Sequence, residues 1–256
     1  MNRTGLTIAL AIAAVVGLVF GVAPDLELRL SRPWFEISHR GGNFALRFDP
    51  MIQMLRDSGL WLAAILAAPP VVALVLKLVL PRRRLLISGR AIVFMLATLA
   101  LGPGVLVNVV LKEHWGRSRP IDVAQFGGAD PYVSWWDPRG ECPKNCSFVS
   151  GDVAGSYWML APAALAPPAW RPFAYAGALG VGIAMSLLRI AAGAHFITDV
   201  VFAGVFIFVI IWITHGLIYR WPRTRMTDES IEQAIERVAL PPHEFVRGLF
   251  RKRPPP

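Results

Sequence analysis

The sequence predicts an all-α polytopic membrane protein with six transmembrane helices in a bundle. Apolar residues make up 55% of its 256 residues and the mean hydropathy is +0.50, a composition that soluble domains rarely have. A helix needs about 20 apolar residues to cross the hydrocarbon core of a bilayer. Six segments approach that length, namely 5–23, 59–80, 91–111, 153–170, 172–190 and 196–219.

Three of these segments leave an alternative open. Four prolines between residues 162 and 172 interrupt or flank the fourth and fifth segments, which membrane helices tolerate when neighbouring groups satisfy the freed carbonyls. The first segment follows Arg3 and ends in Gly21-Val22-Ala23, so it could be a cleaved signal peptide. We expect a retained anchor, because six crossings then place both ends of the chain on one side.

Arginine clusters predict the orientation. They fall in the short loop 81–90 and in the stretch 220–225, and basic short loops stay in the cytoplasm. The loops 24–57 and 112–151 are then outside, together with the junction near 190–195. The net charge of +9 is therefore explained by the cytoplasmic loops that set the orientation. No nucleic-acid-binding module is visible in the sequence.

The same orientation divides the chain into a transmembrane domain, residues 1–225, and a cytoplasmic tail, residues 226–256. Thr227 is a candidate N-cap of an amphipathic helix in the tail, predicted to end at Pro241-Pro242. Residues 251–256 are predicted to be disordered. In the first outer loop, residues 49–55 predict a short helix along the membrane surface.

Three polar clusters lie at predicted outer helix ends and suit a tetrahedral dianion. Lys112, Arg119 and Arg189 provide three cations, and the planar guanidinium matches phosphate oxygens. Ser150 and Gly151 lie at a predicted helix start, where free backbone N–H groups favour an anion. Taken singly, these residues could be snorkelling cations or a simple helix cap. Their convergence on one predicted face favours a phosphate site.

The third cluster adds candidate catalytic groups. His195 could attack phosphorus through a neutral ring nitrogen and form a phosphohistidine. Asp199 lies four residues later on the same helix face and could hold the imidazole in the useful tautomer. A carboxylate inside an apolar run is costly, which favours a functional role. No metal or other cofactor is required, because the three cations can neutralise the charge. Glu113, His114 and Arg117 are interpreted as loop contacts.

Cys142 and Cys146 are the two cysteines of the chain and lie in the same predicted outer loop. In an oxidising compartment they could form a disulfide that closes a small loop. The alternative is two free thiols in a reducing compartment. The predicted outer location favours the disulfide.

The spacing of the clusters resembles that of the type 2 phosphatidic acid phosphatase superfamily over roughly residues 91–219. Its three motifs are K-x6-R-P, P-S-G-H and S-R-x5-H-x3-D. The matching residues are Lys112, Arg119 and Pro120 in the first, Ser150 and Gly151 in the second, and Arg189, His195 and Asp199 in the third. The resemblance implies a six-helix membrane bundle, a histidine nucleophile and phosphate release without a metal.

Three positions depart from the family pattern. Val149 and Leu188 replace the usual proline and serine, and neither carries essential chemistry. Asp152 occupies the position of the histidine that protonates the leaving group in the family. A carboxylic acid can take this role when it is protonated, whereas an ionised Asp152 would repel the substrate. The alternative interpretation of Asp152 is a weakened or inactive enzyme.

The loop from Cys142 to Gly151 also resembles that of bacterial lipid A phosphatases within this superfamily. We therefore expect a lipid phosphatase of the bacterial inner membrane with a periplasmic site, lipid A being the first candidate. Undecaprenyl diphosphate, phosphatidylglycerophosphate and a lipid phosphotransferase reaction are alternatives, and a non-catalytic lipid-binding protein is an alternative of another class. The expected partners are a phospholipid or glycolipid phosphate and the bilayer; the sequence does not indicate an oligomeric state.

Overall fold

The computed structural model describes residues 2–36 and 44–250, with side chains through residue 244. Within these ranges all extended regular structure is helical, and an isolated bridge joins Val123 to Asp130. The predicted all-α class is confirmed. Besides three 3₁₀ turns of three or four residues, the helices of the described ranges are α1 Arg3–Val22, α2 Asp25–Glu36, α3 Pro50–Val79, α4 Gly89–His114, α5 Gly151–Tyr157, α6 Leu160–Leu165, α7 Arg171–Ala191, α8 Ile197–Arg220 and α9 Asp228–Phe250.

Five of these helices, α1, α3, α4, α7 and α8, are long and apolar enough to cross a membrane, among the residues that the structure describes. They correspond to five of the six predicted spans. Their outward faces remain apolar: Val15, Leu18 and Val22 of α1 are exposed over 61%, 68% and 78% of their surface. Such a surface is stable in lipid, and the chain is a multi-pass membrane protein.

The predicted fourth span is instead two short helices, α5 and α6, that break near Trp158. Pro162 has no N–H to bond the Trp158 carbonyl four residues earlier. That carbonyl accepts from Ala161 N at 2.8 Å instead. Both helices pack against α7 and α8, and a broken helix is tolerated at membrane depth when protein surrounds it. The structure is consistent with the predicted count of six crossings and does not confirm it.

The start of α3 corrects the predicted surface helix at 49–55. Asp49 caps α3, because its carboxylate accepts from Met51 N at 2.8 Å and Ile52 N at 3.1 Å. This segment is therefore the first turn of a continuous helix. The amphipathic helix in this region is α2, which the sequence analysis did not predict.

Helix α9 occupies the tail and packs on α3 and α4. Thr227 caps this helix, because its hydroxyl accepts from Ser230 N at 3.1 Å. Lys77 of α3 forms ion pairs with Glu232 and Glu236 of α9, at 2.7 and 2.5 Å. The predicted end at Pro241-Pro242 is wrong, because the helix continues to Phe250. The fixed φ of proline is compatible with a helix, and the cost is the missing backbone hydrogen bonds. Residues 251–256 lie outside the described residues.

Candidate functional site

The first two motifs lie side by side in the structure. Backbone N–H groups of the later segment donate to carbonyls of the earlier one: Cys146 N to Lys112 O at 2.9 Å, and Ser147 N to Arg117 O at 2.7 Å. Cys142 and Cys146 form a disulfide that closes the loop between them. These bonds bring the end of α4 against the start of α5.

The third motif spans a sharp turn between α7 and α8. Gly193 has φ +63°, a left-handed conformation that glycine adopts most easily and that commonly ends a helix. Ala194 N closes the turn by donating to Arg189 O at 3.1 Å. A Cβ at Gly193 would lie 2.3 Å from the Phe44 ring, so no larger residue fits there. The turn places Arg189 at the end of one helix and His195 just before the next.

His195 is buried, and its hydrogen bond defines its tautomer. Its Nδ1 lies 2.8 Å from the Ser147 carbonyl oxygen, which can only accept. Nδ1 therefore carries the proton, and the lone pair is on Nε2. Burial lowers the pKa of His195 well below its usual value, and the positive charges of Arg189, Arg119 and Lys112 lower it further. The imidazole is thus neutral near pH 7, and these three cations are its electrostatic neighbours.

Asp199 is fully buried in the first turn of α8 and is held by several donors. Its carboxylate accepts from Ser147 Oγ at 2.5 Å, from Phe196 N at 2.8 Å and from the Arg117 guanidinium at 2.6 Å. His195 Nδ1 lies 3.9 Å from Asp199 Oδ2, an ion-pair distance rather than a hydrogen bond. The carboxylate thus faces the imidazole and also holds the serine beside it.

A second buried carboxylate, Glu27, pairs with the same arginine that holds Asp199. Glu27 of α2 pairs with Arg117, and both side chains are fully buried. Glu27 also contacts the Thr198 hydroxyl and accepts from Tyr132 Oη at 2.7 Å. From the sequence, Arg117 is interpreted as a loop contact, and no sequence pattern points to Glu27. Burial, which the sequence does not reveal, distinguishes Arg117 from the surface arginines.

Asn145 positions two of the predicted phosphate-binding cations. Its side-chain oxygen accepts from Lys112 Nζ at 3.0 Å, and its carbonyl accepts from Arg119 at 2.8 Å. A Cβ at Gly151 would lie 2.9 Å from Asn108 Oδ1, so glycine lets the Asn108 side chain approach the start of α5. Ser150 caps α5 through its side chain, and its backbone N donates to Asp199 O at 3.3 Å.

Asp152 lies between two arginines at the other side of the site. Its Oδ2 accepts from Arg56 Nε of α3 at 2.7 Å and lies 3.3 Å from Arg189 Nε. Two adjacent guanidiniums favour the ionised carboxylate. Arg189 Nε is buried, and its contact with Asp152 is an ion pair without hydrogen-bond geometry. No sequence pattern points to Arg56, because it is distant in the chain from all three motifs.

A polar cavity of about 320 Å³ adjoins the site on the side of Arg119. It is lined by side chains of both charges and by the disulfide loop: Arg47, Asp122, Asp130, Cys142, Lys144 and Asn145. Among the described residues, no group of three or more His, Cys, Asp or Glu side chains could hold a metal ion.

Comparison with known proteins identifies the family. Residues 90–226, just over half of the chain, match the sequence model of the PAP2 superfamily. The chain belongs to the PAP2 superfamily. All three motifs lie within the matched region. No solved structure matches the chain.

Several curated relatives of this PAP2 protein carry the name lipid A 4'-phosphatase. The relative from Francisella tularensis subsp. novicida is 39% identical over 51% of this chain and 60% of its own length. The relative from Rhizobium leguminosarum is 43% identical over 41% of this chain and 46% of its own length, and that from Rhizobium etli is 40% identical over 41% of each. The chain thus matches about two fifths to three fifths of the length of these relatives.

Proposed function

We propose that this PAP2 protein is a phosphatase that removes a phosphate group from a membrane glycolipid, with lipid A as the first candidate. The observation that carries the proposal is the environment of His195. Its Nδ1–H donates to the Ser147 carbonyl, which leaves Nε2 unprotonated. The positive charges of Lys112, Arg119 and Arg189 act on the ring. This arrangement suits a nucleophile that attacks a bound phosphate. The name shared by the relatives supports lipid A as the substrate.

In the proposed first step, Lys112, Arg119 and Arg189 bind the phosphate oxygens, and the Ser150 hydroxyl and Gly151 amide support them. His195 Nε2 attacks phosphorus, a P–N bond forms, and the P–O bond to the lipid breaks with its electron pair on the lipid oxygen. The imidazole becomes positively charged, and the Asp199 carboxylate 3.9 Å away stabilises this charge. Water then hydrolyses the P–N bond and releases inorganic phosphate.

Asp152 is proposed to donate the proton that the departing lipid oxygen takes up. In the unoccupied site its two arginines favour the ionised form. A bound phosphate competes for Arg189, and its negative oxygens favour the protonated carboxyl group. The 4' oxygen specified by the relatives' name is an ordinary sugar alkoxide rather than an anomeric one, so its departure requires this proton.

The polar cavity beside Arg119 supports a glycolipid over a lipid with a small headgroup. Its volume of about 320 Å³ and its mixture of cations and carboxylates suit a hydroxyl-rich sugar. Arg47 and Lys144 in particular add positive charge next to the phosphate-binding residues. A second anionic group of the headgroup would be attracted to them.

We place the site at the periplasmic face of a bacterial inner membrane. The disulfide between Cys142 and Cys146 supports an oxidising compartment. The arginines of the 81–90 loop support a cytoplasmic location for the opposite end of the bundle.

Phosphate release from purified protein in detergent tests the proposal. We expect the wild-type protein to release phosphate from lipid A faster than from undecaprenyl diphosphate or phosphatidylglycerophosphate, and His195→Ala to release none. A stable His195→Ala protein with wild-type turnover would exclude the nucleophile. Absence of release from all three lipids by the wild type would favour a non-catalytic lipid-binding protein.

A further inference from the structure

Two adjoining cavities lie along the interface between α3 and α7. The outer one has a volume of about 470 Å³ and the inner one about 350 Å³. Both are lined by Leu62 and Val181, so they form one continuous groove. Its lining is almost entirely apolar, and Leu62 and Leu187 in it are 40% and 54% exposed.

Small residues of α7 open this groove. Ala184 lines the outer part and is exposed, while Gly177 and Ala178 line the inner part. A Cβ at Gly177 would meet no atom within 4 Å, so a larger side chain there would enter open space. On α3, Gly59 lets Met185 pack closely, because a Cβ there would lie 2.7 Å from Met185 Cε.

The outer end of the groove reaches the phosphate site. Leu55 and Leu188 line this end, and each immediately precedes an arginine that flanks Asp152, namely Arg56 and Arg189. An anionic group at these arginines and an apolar chain in the groove can therefore belong to the same molecule. Cations at one end of an apolar channel are complementary to a lipid phosphate.

The length of the groove corresponds to one leaflet. Along α3 it extends from Leu55 to Leu66, which at the helical rise of 1.5 Å per residue is about 16 Å. The hydrocarbon core of a bilayer is about 30 Å thick, so half of it is about 15 Å. The groove is thus as long as the acyl chains of a lipid whose headgroup is at the site.

We propose that the groove between α3 and α7 binds an acyl chain of the lipid substrate while its phosphate occupies the site at Arg189. This inference rests on the proposed function, because it assumes a lipid phosphate as ligand. It adds a substrate subsite outside the three motifs. It also assigns Arg56 to the junction between the headgroup and the chain.

Filling the groove without changing the phosphate site tests this inference. In Ala184→Phe the new ring occupies the outer groove. Ala176→Phe is the matched control, since Ala176 is also exposed on α7 and lines neither cavity. We expect Ala184→Phe to lower kcat/KM for lipid A by about tenfold or more, because displacing two buried methylenes is sufficient. Hydrolysis of p-nitrophenyl phosphate, which has no acyl chain, should be unchanged in both variants.

Equal losses for both substrates in Ala184→Phe, or equal losses of lipid A turnover in both variants, would overturn the groove assignment. Retention of lipid A by His195→Ala protein, measured by native mass spectrometry, tests it independently of turnover. Adding Ala184→Phe should weaken this retention, and adding Ala176→Phe should not. If the wild type hydrolyses no lipid while this binding difference persists, the proposed hydrolysis fails and the groove assignment remains. Retention unaffected by Ala184→Phe refutes the groove.

Discussion

The Nδ1 atom of His195 lies 2.8 Å from the carbonyl oxygen of Ser147, and this contact joins the second motif to the third. A backbone carbonyl has no proton to give, so it fixes the tautomer of the neutral imidazole. Asp199 does not hydrogen-bond the imidazole directly. It accepts from Ser147 Oγ and lies 3.9 Å from His195 Nδ1, where we propose that it stabilises a developing positive charge.

The first prediction concerns the pH dependence of hydrolysis. The active form of His195 is the unprotonated one, and its pKa lies well below the usual value because of burial and the neighbouring cations. Activity is therefore retained on acidification until the pH reaches this lowered pKa. We expect kcat/KM not to fall between about pH 7 and about pH 6, after correction for titration of the substrate phosphate, and to rise if the ionised Asp152 must gain a proton before it acts as the acid. A pH–rate profile that falls around the usual pKa of histidine would contradict this.

The second prediction concerns the buried pair of Glu27 and Arg117. Arg117→Met leaves two buried carboxylates, Glu27 and Asp199, without their guanidinium. Removing one partner of a buried ion pair costs about 3–5 kcal/mol, so the free energy of unfolding should fall by this order. Thermal unfolding in detergent would show the loss as a lower Tm.

Arg139→Met is the matched control for this variant. Arg139 pairs with Asp137 in the same loop but is 81% exposed, and such pairs contribute little to stability. Its Tm should therefore remain that of the wild type. Equal Tm values for the two variants would show that the Arg117 network does not stabilise the fold.

The sequence predicts which motif residues lie near one another better than it predicts the hydrogen bonds and ion pairs that hold them. Lys112, Arg119, Arg189, His195 and Asp199 follow from fixed spacings at helix ends, because helical periodicity and topology place them on one face. The structure brings these residues together.

Other contacts depend on tertiary packing and leave no local pattern. Arg56 and Glu27 come from α3 and α2, far in the sequence from the motifs they reach. The break at Trp158 results from Pro162, and the sequence analysis interpreted that proline as tolerated within a span. The sequence therefore predicts the helical class and five long helices, but not the broken α5–α6 pair or the role of α2.

The third prediction concerns headgroup recognition by Arg47. This residue is half-buried and lines the polar cavity next to Arg119. Because hydrogen bonds to charged groups contribute about 1.5–3 kcal/mol, Arg47→Gln should raise KM for lipid A by about tenfold. KM for p-nitrophenyl phosphate, which has no sugar, should change little. Arg139→Gln, outside the cavity, should change neither value, and equal effects of both variants would exclude a headgroup contact.

The fourth prediction concerns Asp152 as the proton donor. Asp152→Asn keeps the shape of the side chain but cannot deliver a proton to the leaving oxygen. General acid catalysis typically contributes about 10²–10⁴-fold, so kcat for lipid A should fall by this order. Hydrolysis of p-nitrophenyl phosphate, whose leaving group needs no proton, should fall much less. Wild-type turnover of lipid A by Asp152→Asn would refute the acid role.

Asp152→His is the informative companion to this variant, because it introduces the residue that the PAP2 pattern has at this position. A histidine can donate the same proton but carries no negative charge to pair with Arg56 and Arg189. If Asp152 acts through its proton, Asp152→His should keep most of the turnover that Asp152→Asn loses. If it acts only by holding the two arginines, both variants should lose turnover alike, and p-nitrophenyl phosphate hydrolysis should fall with it. The leaving-group dependence of the two variants therefore separates proton donation from the positioning of Arg189.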